Sequence, residues 1–184
     1  MIFQINFYAL KKVQILLLII VFNLFMSDSV HATHAAGADI TYKCLGGLQY
    51  EITLAFYRDC AGIQEPNTAF ITVASINYNY SVIFNAVKIP GTGQEITTPC
   101  NSVNTTCSGG SITGIRQFIY RTTVTLPAAQ EDWKFSFSEC CRNCAITTIQ
   151  NPCGNNSLLY VEATLNNLAA PCNTSPEFSN IPIA

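Results

Sequence analysis

The sequence predicts an all-β fold, an antiparallel immunoglobulin-like β-sandwich of about seven strands carrying disulfides. Three observations predict it. Apolar and polar residues alternate with a period of two in run after run, turn-forming residues cluster between the runs, and nine cysteines follow an apolar leader in a chain of 184 residues. No segment after the leader keeps a helical period between a cap and a stop, so long helices are not expected.

The strands follow from the alternation. Tyr50, Ile52, Leu54 and Phe56 alternate with Glu51, Thr53, Ala55 and Tyr57, as a half-buried strand requires. Phe118, Tyr120, Thr122, Val124 and Leu126 form one face of a second run, with Ile119, Arg121, Thr123 and Thr125 opposite. Trp133, Phe135 and Phe137 define a third against Lys134, Ser136 and Ser138, and Leu159, Val161, Ala163 and Leu165 a fourth. Less regular runs at 39–44, 68–74 and 79–89 bring the number to seven, which suits a sandwich. Turn signals separate them at Gly46-Gly47, Pro90-Gly91-Thr92-Gly93, Ser108-Gly109-Gly110 and Asn151 to Asn156. The short Gly46-Gly47 link predicts a hairpin.

Residues 1–32 read as a secretory signal peptide. Lys11 and Lys12 precede an apolar run from Val13 to Met26, broken only by Gln14 and Asn23, and a small-residue tract follows from Ser27 to Ala36. Val30 and Ala32 suit the two small pockets of a peptidase, which places cleavage after Ala32. The apolar run is shorter than the ~20 residues that a membrane-spanning helix needs. One cysteine-rich domain is then expected over 33–170, and the Pro-, Asn- and Ser-rich stretch 171–184 reads as the start of a linker to a missing downstream domain. Seven basic and ten acidic residues remain after the leader, a balance of −3 that argues against a nucleic-acid partner. The expected location is extracellular: secreted and associated with the cell surface.

All nine cysteines, Cys44, Cys60, Cys100, Cys107, Cys140, Cys141, Cys144, Cys153 and Cys172, lie beyond the leader and are disulfide candidates. Cys100 with Cys107 is the expected local pair, because the polar segment between them favours a turn. The remaining connectivity is open, and an odd count leaves one cysteine over. Cys140, Cys141, Cys144 and Cys153 are enough to hold zinc on paper. Adjacent cysteines on an extended strand point to opposite faces, however, so disulfides are preferred and no metal or cofactor is expected. No helix pattern follows Cys144 to activate a thiol for redox catalysis.

Catalytic chemistry has little support, and the chain is expected not to be an enzyme. His31 departs with the leader and His34 sits at the new N-terminus, so no imidazole is placed to serve a nucleophile. Glu51, Asp59, Glu131, Asp132, Glu139 and Glu162 are the carboxylates available for acid–base work, with Glu51, Glu139 and Glu162 expected on solvent faces of strands. No Asp-rich loop predicts calcium. Asn79, Asn104, Asn155 and Asn173 begin N-x-S/T triplets, which matter only in a eukaryotic secretory route. Arg58-Asp59-Cys60 and Arg142-Asn143 are expected to tie strand ends to loops through charge-assisted bonds. Tyr57, Tyr78, Tyr80 and Tyr160 are candidates for stacking on sugar rings.

Four segments taken together, ADITYKCLGGLQYEITLAFYRDCAG (38–62), PGTGQEITTPC (90–100), VTLPAAQEDWKFSFSECCRN (124–143) and LYVEATLNNLAAPCNTSPEF (159–178), resemble one family. It is the N-terminal module of large surface proteins of Bacteroidota, which often carry PKD or other immunoglobulin-like repeats and a gliding-motility-associated C-terminal sorting domain. In proteins it resembles, a cysteine often precedes the Asp-Trp pair where this chain has Gln130 and Glu131; that loss would orphan a partner. The resemblance also implies further domains after Phe178, so the end at Ala184 reads as a truncation. The function expected is a non-enzymatic structural or adhesive module of a surface protein whose ligand, protein or glycan, is unknown. The alternative is a secreted carbohydrate-binding module.

Overall fold

The computed structural model describes residues 14–15, 35–97, 103–140, 142–143, 146, 148–152 and 157–176. The chain divides into two units, Met1–His31 and Ala32–Ala184. Only Gln14 and Ile15 of the first are described, and they are helical. No helix among the described residues is long and apolar enough to cross a membrane.

The second unit is the all-β, immunoglobulin-like antiparallel sandwich that the alternation predicts. Its strands are β1 (Ala35–Gly46), β2 (Gln49–Asp59), β3 (Thr68–Ser75), β4 (Tyr80–Lys88), the two-residue β5 (Gln94–Glu95), β6 (Ile115–Thr125), β7 (Trp133–Cys140) and β8 (Leu158–Leu165). They hydrogen-bond in the order β1-β2-β6-β4-β3-β7-β8, with β5 on β6. One half is β1, β2 and β6; the other is β4, β3, β7 and β8. The halves join at a narrow corner, where Val87 pairs with Arg121 and Lys88 with Tyr120.

The period-two faces close against each other. Tyr50, Ile52, Leu54 and Phe56 from β2, Phe118, Tyr120 and Val124 from β6, and Trp133, Phe135 and Phe137 from β7 are all buried. Rings cross between the halves: Tyr42 lies 5.4 Å from Phe135 and Phe56 lies 6.0 Å from Phe137. Each such pair adds about 0.5–1.5 kcal/mol to the burial of its apolar area. Trp133 is fully buried, donates its indole N–H to the Ala128 carbonyl at 3.1 Å, and takes the edge of Tyr80 at 5.4 Å. Replacing it by alanine would cost about 3–5 kcal/mol.

Turn chemistry sets the hairpins. Gly46 and Gly47 have φ of 123° and 56°, conformations that L side chains rarely adopt, and they return β1 onto β2 as their sequence predicts. Gly93, with φ of 105°, brings its loop onto Phe118, where a Cβ would stand 2.6 Å from a ring carbon. The β3–β4 turn is held from outside by Asp132, whose carboxylate accepts the Ser75 hydroxyl (2.6 Å) and the backbone N–H groups of Ile76 (2.8 Å) and Asn77 (3.0 Å). Asp132 thus clamps the turn.

The cysteines depart from expectation in one pairing. Cys107 bonds to Cys60, not to Cys100, because the loop carrying Cys107 folds back on the end of β2, where the Cys60 N–H also donates to the Gly114 carbonyl at 2.9 Å. A polar hexapeptide makes a local bridge feasible but cannot exclude a distant sulfur that the sheet brings closer. Cys44 bonds to Cys172, with Cα atoms 5.1 Å apart, and Cys140 is disulfide-bonded as well. Cys100, Cys141, Cys144 and Cys153 lie outside the described residues. These bridges point to a compartment outside the reducing cytoplasm.

The domain also reaches beyond residue 170. Besides the Cys172 bridge, Ser175 donates its N–H to the Tyr42 carbonyl (3.0 Å) and accepts the Tyr42 N–H on its hydroxyl (2.9 Å), so residues 171–175 belong with β1 and not with a linker.

Candidate functional site

Where β2, β3 and β7 run out at one end of the sandwich, they surround a cavity of about 320 Å³. Phe56, Phe137 and Phe70 supply aromatic wall, and Arg58, Glu65 and Glu139 supply charge. The strands position these groups by parity. Phe56 and Arg58 follow each other on the inward face of β2, and Glu139 follows Phe137 on β7. Glu65 arrives from the loop between β2 and β3.

Glu65 is the electrostatic centre of this end. Its side chain is 7% exposed and lies between two cations, with Lys88 Nζ at 2.8 Å and Arg58 Nη1 at 3.5 Å. Both cations also lie over the ring of Phe118, at 5.5 Å for the guanidinium carbon and 5.8 Å for Lys88 Nζ. Arg58 Nη1 donates to the Ile63 carbonyl at 2.6 Å, while its Nε is buried without a hydrogen-bond partner. Paired with two cations, Glu65 holds the loop down. Tyr120 lies beneath, donating to the Pro66 carbonyl at 2.8 Å, and burial with the nearby Glu65 charge raises its phenol well above the usual range.

Glu139 differs. It is half-buried rather than on a solvent face, because the loop at 63–66 and Phe70 rise around the end of β7. Burial raises its carboxyl above the ordinary value, partly opposed by a backbone hydrogen bond from Cys140, and no described cation pairs with it. Its chemistry is that of a carboxyl suited to meeting a hydrogen-bond donor. Glu162, by contrast, sits on the solvent face of β8 as expected, 3.0 Å from Lys134.

The two strand-end motifs meet. Asp59 is buried and accepts the Asn143 side-chain amide at 2.8 Å and the Ala61 N–H at 2.9 Å. Arg142 donates to the Leu158 carbonyl at 3.0 Å. These residues fasten strand ends to loops, as their charge predicts. Among the described residues no three His, Cys, Asp or Glu side chains converge as metal ligands would.

No family model, curated protein or solved structure matches the chain. The four candidate tyrosines do not form one platform. Tyr57 lies on the outer face of β2, donating to Asp39 at 2.7 Å, with its phenol pushed up to about 12 by burial and by that bond. Tyr78 and Tyr80 lie against Trp133, and Tyr160 is on the outside of β8.

Sequence reasoning did not find Glu65, Lys88, Phe118 or Phe70. The first three are scattered over 54 positions and converge only through the β2–β6–β4 pairing. Phe70 did leave a trace, since it is an aromatic at the polar phase of its own strand.

Proposed function

We propose that the chain is a non-enzymatic structural or adhesive module of a secreted cell-surface protein, of the Bacteroidota surface-protein kind that its four segments resemble. The observation that carries this reading is the contrast between the two outer faces. Outside β1, β2 and β6 stand Lys43, Asp39, Glu51, Thr53, Arg121 and Thr123. Outside β4, β3, β7 and β8 stand Phe70 and Ile83, each 64% exposed, with Val87, Leu158 and Tyr160. A concentration of exposed apolar side chains on one face of a stapled domain suits contact with another surface. The disulfides support a role outside the cell, where resistance to unfolding matters.

Beads carrying the oxidised full chain are expected to adhere to surfaces coated with cell-envelope protein. Replacing both Phe70 and Tyr160 by serine should lower retention about ten-fold, the effect of losing a modest share of contact energy. Retention that ignores both substitutions rejects the apolar face as the contact.

A second reading, carbohydrate binding, has one observation of its own. Ile71 pairs with Phe137 and Ser138 with Tyr160, so Phe70 and Tyr160 lie in one row, on one face, two strands apart. That spacing is about 10 Å. Retardation on insoluble polysaccharide gels, abolished by Tyr160→Ser, would favour it over protein adhesion.

A further inference from the structure

The two terminal edges of the sheet are covered by polar partners. Along β1, the Ala35 carbonyl accepts the Asn143 N–H (3.0 Å), Ser175 holds Tyr42, and the Cys44 N–H donates to the Thr174 hydroxyl (3.2 Å). Along β8, the Leu158 carbonyl accepts from Arg142 and the Thr164 carbonyl from the Tyr42 phenol (3.0 Å).

Strand β4 has a third edge. The Lys88 N–H donates to the Asn67 carbonyl at 3.0 Å, which fixes the parity: even-numbered residues of β4 face β3 across the ladder. The N–H and C=O groups of Ser81, Ile83 and Asn85 therefore point to the opposite edge. Strand β6 meets β4 only at Val87 and Lys88, so these three residues have no strand partner among the described residues.

Among the described residues, nothing protects this edge in the usual ways. Its register with β3 is unbroken by a bulge, and from Ser75 to Val87 there is no Asp, Glu, Lys, Arg, Pro or Gly. It carries exposed apolar side chains on both faces, Ile83 and Val87 on one, beside the uncharged Ser81 and Asn85, and Val82 on the other, and Ile76 is 91% exposed at the hairpin tip.

We propose that two copies of this chain pair through β4, antiparallel about a two-fold axis at Ile83. In that register Ile83 faces Ile83, Ser81 faces Asn85, and Val82 faces Phe84 of the other copy. Every open N–H and C=O of Ser81, Ile83 and Asn85 is then satisfied, and the four-strand half becomes one continuous sheet across the dimer. A two-fold axis sets identical residues against each other, so a charge at its centre would oppose itself. Residues 80–87 of β4 carry no charge and meet that condition, with Lys88 beyond the paired segment, whereas β1 carries Asp39 and Lys43 and β8 carries Glu162. The apolar face used for adhesion would be doubled, but the pairing does not depend on adhesion.

The test is sedimentation velocity on the full chain, expressed in an oxidising compartment, over a range of concentrations. A reversible monomer–dimer equilibrium is expected. Ile83→Pro deletes an outward N–H without touching the β3 ladder and should raise the dimer Kd about 100-fold. The fold is checked independently by Trp133 fluorescence. Ile83→Lys alone and Ile83→Glu alone should each be monomeric, while their mixture should recover a dimer through the opposed charges. A chain that stays monomeric at every concentration overturns the proposal. So does a dimer indifferent to both Ile83→Pro and Ile83→Lys, a Lys/Glu mixture that recovers none, or a dimer that survives denaturation on a non-reducing gel.

Discussion

The β1 edge and the β4 edge face the same physical problem and meet it differently. Both expose a row of unpaired backbone groups. At β1, two stretches far from it in sequence are brought to cover them: Asn143, and the Thr174–Ser175 pair anchored by the Cys172 bridge. At β4 no described segment is brought in beside Ser81, Ile83 and Asn85, and residues 80–87 carry no charge. The difference teaches that this domain can close an edge by long-range contacts, so an edge left bare is a distinct feature of β4 and not a general looseness of the fold.

The largest expected effect comes from undoing the β1 cover. Replacing Cys44 and Cys172 by serine opens a loop spanning 128 positions and should cost about 3–5 kcal/mol in denaturant unfolding. The corresponding Cys60/Cys107 variant spans 47 positions and should cost about 1 kcal/mol less on loop entropy. If the comparison of edges holds, the first variant should also form higher oligomers through a freed β1 together with β4, and Ile83→Pro should cut them back to dimers paired through β1. Dimers that end at two copies in that variant would break the comparison.

Next in size is Asn143→Ala. It leaves a buried Asp59 oxygen without its 2.8 Å donor while keeping the backbone N–H that covers Ala35. A loss of about 2 kcal/mol is expected, with no change in association, because a buried charged acceptor loses its partner but the edge stays covered. Ser175→Ala is smaller, about 1 kcal/mol, for one hydroxyl acceptor removed from Tyr42. Hydrogen exchange should resolve it residue by residue. The Tyr42 amide is expected to be protected at every concentration and to lose protection in Ser175→Ala, whereas the Ile83 amide should gain protection only as concentration rises.

Much of the fold was legible because its signal is local. The buried faces of β2, β6, β7 and β8 follow directly from alternation, and the β1–β2 hairpin follows from Gly46-Gly47. The motifs at Arg58-Asp59 and Arg142-Asn143 were readable as strand-end fasteners because charge at a strand end needs a partner. The Cys60–Cys107 pairing was not legible, since both partners look equally available until β2 and β6 set their separation. Glu65 was missed for the same reason: Arg58 and Lys88 become its neighbours only across the β4–β6 corner. Glu139 shares the inward phase of Trp133, Phe135 and Phe137, a local signal that the expectation of a solvent face overlooked; only the loop at 63–66 that walls it could not be read.

Two carboxylates on either side of β7 give the smallest effects, and they differ in sign. Asp132, clamping the β3–β4 turn, is held below its ordinary value by the Ser75 hydroxyl and then by the turn amides. A folded value below the unfolded one means that ionised Asp132 supports the fold above its unfolded value, and that this support is lost as pH falls through the folded value. Asp132→Asn should therefore weaken the hairpin at neutral pH, with the difference fading in acid. Glu139 is raised by burial, so the sign reverses: its contribution is fully present below the unfolded value and is lost as pH rises through the folded one. Glu139→Gln should leave the protein equal or slightly more stable at neutral pH, by about 0.5 kcal/mol or less, and the gain should vanish below pH ~4. Melting curves of the two variants across pH separate the regions. Parallel profiles would mean that a cation not seen beside Glu139 reaches it in solution, whereas opposed profiles leave the cavity carboxyl unpaired and the bare hairpin dependent on its one clamp.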